Sequence, residues 1–264
     1  MNDTFSAKRF ALLLKKTLLE RPSQMFGFIG LILAVTFILY FILKSLTSFD
    51  AAQNITFIWG FAGGGCILAS FVFGYFSSNA NGSSYLTLPA SHFEKWLCGM
   101  LIAMVFYPII FLLVFRMIDS GFVTLFHKSL DPESPLYLEQ YRSVYLFSFT
   151  GRLALKVDPI FLIFTSIAML GSLYFNKVAF IKTALVFFGV CFTIFILNWL
   201  FAKILFGNID NAFPLRDVGV LVGKEMGSVD LPEKSFAYTN TILNYLMPII
   251  FYALAYLRLR EKEF

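Results

Sequence analysis

The chain reads as an all-α membrane protein: a bundle of six transmembrane helices, with an amphipathic helix ahead of the first and a small β-like loop before the last. Three observations predict this. Hydrophobic residues are 58% of the 264 and charged residues 14%, with a mean hydropathy of +0.76. Soluble domains are about half apolar and about a quarter charged. The apolar residues gather into stretches of bilayer length, and a run of roughly 18 or more with little charge reads as a membrane-spanning helix. Finally, the charges fall mostly between these stretches. The whole chain, 1–264, is expected to form a single transmembrane domain, with its spans within 26–257.

Residues 1–25 come first. Plotted as a helix from Thr4 to Arg21, Phe10, Leu13, Leu14, Thr17 and Leu18 share one face, and Lys8, Arg9, Lys15, Lys16 and Glu20 the other. Leu12 and Leu19 interrupt the pattern. Asp3 or Thr4 is placed to cap the start, and Pro22 ends the helix. A basic amphipathic helix feeding a span lies in the membrane interface; the alternative is a plain basic flank.

The predicted spans are Phe26 to Leu43, Ile55 to Phe76, Trp96 to Phe115, Pro159 to Phe175, Val178 to Phe206 and Thr241 to Leu257. Pro108 and Pro248 lie inside the third and sixth and are expected to kink them. Gly60 and Gly64 in the second have the spacing that lets helix backbones approach closely; packing within the chain is expected.

Lys and Arg near span ends set orientation. With the N-terminus cytoplasmic, the cytoplasmic segments hold 11 of 21 basic residues and 5 of 16 acids, and the longer outer loops hold the rest. Both termini are then cytoplasmic. The first apolar run starts late and lacks a small-residue cleavage pattern, so it is expected to remain as a span. Cys66, Cys98 and Cys191 lie within or beside spans, and no disulfide framework is expected.

The cytoplasmic loop Ser77–Lys95 opens with a polar stretch, Ser77 to Ser84, read as flexible. Ser91 and Glu94 then fit a capping box that starts the third span. Tyr85, Leu86 and Leu88 form a short apolar patch. Such patches mark protein contacts, or these side chains tuck under the bundle; the residues alone leave both open. Of the outer loops, Ser120 to Asp158 has a turn at Asp131–Pro135 and an aromatic stretch from Tyr137 to Phe149. Asn208 to Thr239 alternates valines with glycines and polar residues, which suggests a small β element.

The predicted spans hold no Asp, Glu, Lys or Arg near their centres, which argues against proton coupling; Arg116, Lys182 and Lys203 sit at ends, where they snorkel. Asn198 and Asn244 are expected to bond between helices. His92 and His127 fall on opposite sides, so a His-Glu-x-x-His zinc site is impossible, and no phosphate-binding Gly-rich loop ending in Gly-Lys-Ser/Thr is present. The chain is expected to be no enzyme, to have no catalytic, cofactor-binding or metal-binding residues, and to bind no nucleic acid.

The stretch Leu86-Thr87-Leu88-Pro89-Ala90-Ser91-His92-Phe93-Glu94-Lys95-Trp96-Leu97 resembles a Leu-Pro-Ala-Ser-x-x-Glu-Lys signature of bacterial permease subunits of the type-2 ABC transporter family, the exporter-like group. The ending Tyr256-Leu257-Arg258-Leu259-Arg260-Glu261-Lys262-Glu263 is similar to theirs. The resemblance implies six spans, an elbow helix at Thr4–Arg21 and a coupling segment in residues 77–95. It implies that Tyr85, Leu86, Leu88, Pro89, Ser91 and Glu94 dock a separate cytoplasmic ATPase, which binds Mg-ATP. Lys8, Arg9, Phe10, Leu13, Lys15 and Lys16 would carry the elbow helix on the lipid bilayer. A second permease copy or homologue is implied, as is a place in the bacterial cytoplasmic (inner) membrane. The family often has a helical hairpin between its fifth and sixth spans, where residues 208–239 are β-like here. The rival expectation is a non-transporting anchor or sensor that binds a partner through its outer loops.

Overall fold

Every apolar stretch is helical, and the helices outrun the hydropathy boundaries wherever a cap or packing supports them. The computed structural model describes residues 5–20, 22–77, 79–175, 177–222 and 225–262. An N-terminal helix, Ala7–Glu20, precedes Pro22–Leu46, which is span 1. Spans 2 to 6 are Phe49–Val72, His92–Ser129, Arg152–Tyr174, Ala179–Phe206 and Glu233–Arg260. All six are long and apolar enough to cross a membrane, and the protein is a multi-pass membrane protein.

The N-terminal helix starts after Ser6, whose carbonyl accepts from Phe10 N. The proposed caps Asp3 and Thr4 lie outside the described residues, as does Arg21. Pro22 opens span 1 rather than standing apart from it, because its missing N–H costs nothing in a first turn. Span 2 starts six residues earlier than hydropathy suggests, where Ser48 caps it by accepting from Ala51 N. Span 3 is the largest departure: it continues past Phe115 through a polar stretch to Ser129. Phe122 and Val123 are buried there, and that packing sustains the helix.

Three spans carry a π-helical segment at mid-length: Trp59–Gly63 in span 2, Ile102–Phe106 in span 3 and Ile242–Leu246 in span 6. Pro108 and Pro248 each stand two residues after one of them. A proline has no N–H for the carbonyl one turn back, and a widened turn absorbs that mismatch within a continuous helix. Span 4 packs against spans 2, 5 and 6 and touches all three π segments. Span 5 is its opposite, regular throughout, with only Thr183 and Ala202 buried.

Close approach is visible at the glycines of span 2. A Cβ at Gly60 would overlap the Phe111 ring, and one at Gly64 the Tyr107 hydroxyl. The Tyr107 hydroxyl donates to the Gly60 carbonyl, which lies in the π segment. The core around it is aromatic, with Phe57, Phe61, Phe111, Phe115 and Phe161 all buried.

The segment before span 6 forms an antiparallel meander, β1 Ile209–Phe213, β2 Asp217–Val222 and β3 Glu225–Asp230. Val218 sits opposite Ala212 on one side and Val229 on the other. Asn198 does not bridge two spans; its side-chain amide donates to the Ala212 carbonyl of β1 at 3.3 Å. Asn244 bonds Asn240 within its own helix at 2.7 Å. Cys66, Cys98 and Cys191 are free thiols.

Candidate functional site

Both terminal segments and the Leu-Pro-Ala-Ser stretch meet at one end of the bundle, called here the terminal end. Part of the stretch read as flexible is a helix, Asn79–Leu86. Tyr85 anchors it: the ring is buried and meets Phe76 edge-on at 5.8 Å. The last carbonyl of this helix, on Leu86, accepts from Lys95 Nζ at 2.8 Å. A helix C-terminus leaves such carbonyls without backbone partners, and a lysine is a suitable donor. The ammonium also lies 5.9 Å from the Tyr85 ring.

Ser91 is extended, with φ −67° and ψ 157°. Its hydroxyl accepts from Glu94 N at 3.1 Å, and Glu94 Oε2 accepts from Ser91 N at 2.9 Å. The expected capping box is therefore present. The other Glu94 oxygen leaves the box altogether. It accepts from Ser6 N at 2.7 Å and from the Arg9 guanidinium at 3.1 Å. Glu94 is fully buried. One carboxylate thus starts span 3 and holds the front of the N-terminal helix against it.

That helix lies with Leu13 and Thr17 buried and with Phe10, Leu14 and Leu18 packed on the core, the predicted face. Thr17 meets the Cys98 thiol at 3.8 Å. The two interrupting leucines, Leu12 and Leu19, are each 60% exposed. With Phe5 they recur every seven residues, and Lys8 and Lys15 flank them on the exposed side. The helix therefore has three faces rather than two: core, apolar and exposed, and basic.

The end of span 6 closes the group. Trp96 donates through its indole N–H to the Tyr252 carbonyl at 3.1 Å. Phe93 and Trp96 meet the Tyr256 ring at 6.2 and 5.9 Å. Lys262 donates to the Leu173 carbonyl at 2.7 Å. Desolvation, and then the nearby Arg258 charge, push its ammonium below the usual lysine range.

Of the residues singled out from sequence, Tyr85, Ser91 and Glu94 are buried, Leu86 and Leu88 are half-buried, and Pro89 is exposed beside exposed Thr87. Lys8 and Lys15 are exposed, and Arg9 and Lys16 are half-buried. The contact between Arg9 and Glu94 joins two segments that the sequence presents as separate. Phe93, Lys95, Trp96 and Tyr252 were not singled out. Lys95 and Trp96 stand inside the recognisable stretch, but nothing in their spacing points to Leu86 or Tyr252.

A second buried carboxylate lies at the opposite, distal end. Asp119 of span 3 is fully buried. It accepts from Gln53 Nε2 at 2.7 Å, from the Tyr40 hydroxyl at 2.8 Å and from Phe147 N at 2.8 Å. Arg116 stands 3.9 Å away and lies over the Phe149 ring at 4.3 Å. These contacts draw the loop after span 3 into the bundle. Phe147 enters the aromatic core, 4.5 Å from Phe57. Tyr137–Ser143 forms a short helix above, where Tyr141 stacks on His127 at 3.9 Å. Among the described residues, no three His, Cys, Asp or Glu side chains gather as a metal site. No known protein family, characterised protein or solved structure matches the chain.

Proposed function

We propose that the chain is a permease subunit of a type-2 ABC transporter, which works with a separate cytoplasmic ATPase to move a substrate across the bacterial inner membrane. The observation that carries this reading is the Leu86–Leu97 stretch and what Glu94 does within it. Its capping box ties residues 87–91 to the start of span 3, and the same carboxylate grips the N-terminal helix. A force applied at exposed Thr87 and Pro89 is passed to both elements together. Packed helices answer such a force by rigid-body movement.

In this reading both termini and the terminal end face the cytoplasm, as the distribution of Lys and Arg favours. The N-terminal helix is the elbow helix and rests on the inner leaflet. Mg-ATP binds the partner, and the permease pairs with a second copy or a homologue. The energy for transport comes from outside the chain.

The test is extraction of the tagged chain in mild detergent, followed by measurement of Mg-ATP hydrolysis in the captured material. Hydrolysis is expected to co-elute with the chain. It should be lost from Thr87→Asp and Pro89→Asp variants whose circular dichroism and gel-filtration profiles are unchanged, because both positions are exposed. A chain that never captures an ATPase is instead an anchor or sensor.

A further inference from the structure

A groove of about 540 Å³ lies between spans 1, 2, 4 and 5. Gly60 and Gly63 of the π segment and Gly64 just after it line the groove on span 2, and of the three only Gly63 leaves room for a side chain. Trp59, 67% exposed, stands at its lip, and Leu31, Phe187 and Phe188 help form its sides.

The lining indicates what the groove can hold. Its hydroxyls belong to Thr36, Ser70 and Thr183. Each donates within its own helix, to the carbonyls of Ile32 at 2.7 Å, Cys66 at 3.0 Å and Ala179 at 2.7 Å. The Cys66 thiol, a weak donor, and the Trp59 indole N–H at the lip are what remain. A polar ligand would lose its hydration here and gain little in return. A hydrocarbon loses nothing.

The dimensions narrow the occupant further. The lining runs from Leu31 to Leu39 on span 1 and from Trp59 to Ser70 on span 2. At a rise of about 1.5 Å per residue that is about 12–16 Å, roughly half of a hydrocarbon core about 30 Å thick. The groove therefore has the depth of one leaflet. A membrane-spanning helix would need a groove through the whole core, whereas one acyl chain occupies a single leaflet.

We propose that this groove is a lipid site, filled by an acyl chain of a bilayer phospholipid held apart from the exchanging lipid around the protein. An unfilled void would forfeit dispersion contacts along all of its walls. The inference does not depend on the transporter reading, since it rests on the shape and chemistry of the spans alone. It also predicts indifference to the headgroup, because the groove offers hydrocarbon contact and little hydrogen bonding.

The test reconstitutes the full chain in bilayers containing a trace of phospholipid with a diazirine midway along one acyl chain. After illumination, labelled peptides are mapped. Residues 59–70 and 180–188 are expected to be labelled about fivefold more per residue than the exposed surface of span 5 from Phe192 to Leu205, equivalent to about 1 kcal/mol. Phosphatidylglycerol and phosphatidylethanolamine probes should give the same ratio. Gly63→Phe fills the groove from its floor, where an added Cβ meets only the Trp59 ring at 3.5 Å. That variant should bring the ratio close to one. Uniform labelling along span 5 in the unsubstituted chain overturns the proposal, and so does a ratio that survives Gly63→Phe. The first of these readings needs no variant, so it decides the matter even if Gly63→Phe fails to fold.

Discussion

Glu94 and Asp119 stand 25 residues apart on one helix, about 37 Å along its axis, and each is a fully buried carboxylate with three hydrogen-bond donors. They differ in where the donors come from. At Glu94 one is three residues away in the same turn and another is a cation, Arg9, that keeps partial contact with solvent. At Asp119 the donors are a phenol, an amide and a backbone N–H from three distant segments, all neutral, with Arg116 only at the edge of ion-pair range. A buried charge can thus be held partly by local geometry or wholly by tertiary convergence. The second arrangement is the more fragile, because loss of the acceptor orphans donors that water cannot reach.

Four substitutions test that contrast and extend it to mid-span. The largest effect is expected from Asp119→Ala, which leaves Tyr40, Gln53 and Phe147 N without their acceptor. It should cost about 3–5 kcal/mol, as expected when several buried donors are orphaned at about 1–3 kcal/mol each, as read from denaturant unfolding in detergent. Asp119→Asn should be nearly as harmful, since its amide places a donor against donors. A neutral Asn variant would break the comparison.

Glu94→Gln should cost less, about 1–3 kcal/mol, because the Ser91 cap persists in part and Arg9 can turn to water. Its signature is local. Hydrogen exchange in residues 7–20 should rise while residues 144–149 stay protected; a rise at both would mean that the two ends are not independent.

The smallest effect is expected at mid-span. Tyr107→Phe removes the donor to the Gly60 carbonyl and should cost about 1 kcal/mol. Faster exchange is expected in residues 59–64, the widened turn that this hydroxyl supports. Unchanged exchange there would show that the π segment is held by packing alone.

The same contrast explains what could be read from the chain directly. The capping box at Ser91 and Glu94 was legible because both halves fall within one turn. The core face of the N-terminal helix was legible from helical periodicity. Its exposed Leu12 and Leu19 look like noise until the helix is seen to have three environments. The β element was visible in alternation. The distal part of span 3 was hidden, because Asp119, Ser120 and Gly121 end the apolar run. The helix continues there for reasons that lie in other segments: Tyr40, Gln53 and Phe147 receive its carboxylate. The π segments were hidden as well, since one residue inserted into a helical ladder scarcely disturbs composition or period.

Hydropathy, charge distribution and local caps were enough to determine a multi-pass helical protein, the number of its spans and the start of the third. These are sums of local terms, each decided within a turn or two. The tie between Arg9 and Glu94, the distal cluster at Asp119 and the leaflet-deep groove beside Gly63 were decided only by the tertiary structure. Satisfying a buried polar group, or failing to fill a space, depends on which distant side chains arrive there. In this chain those arrivals cross separations of 28 to 88 residues.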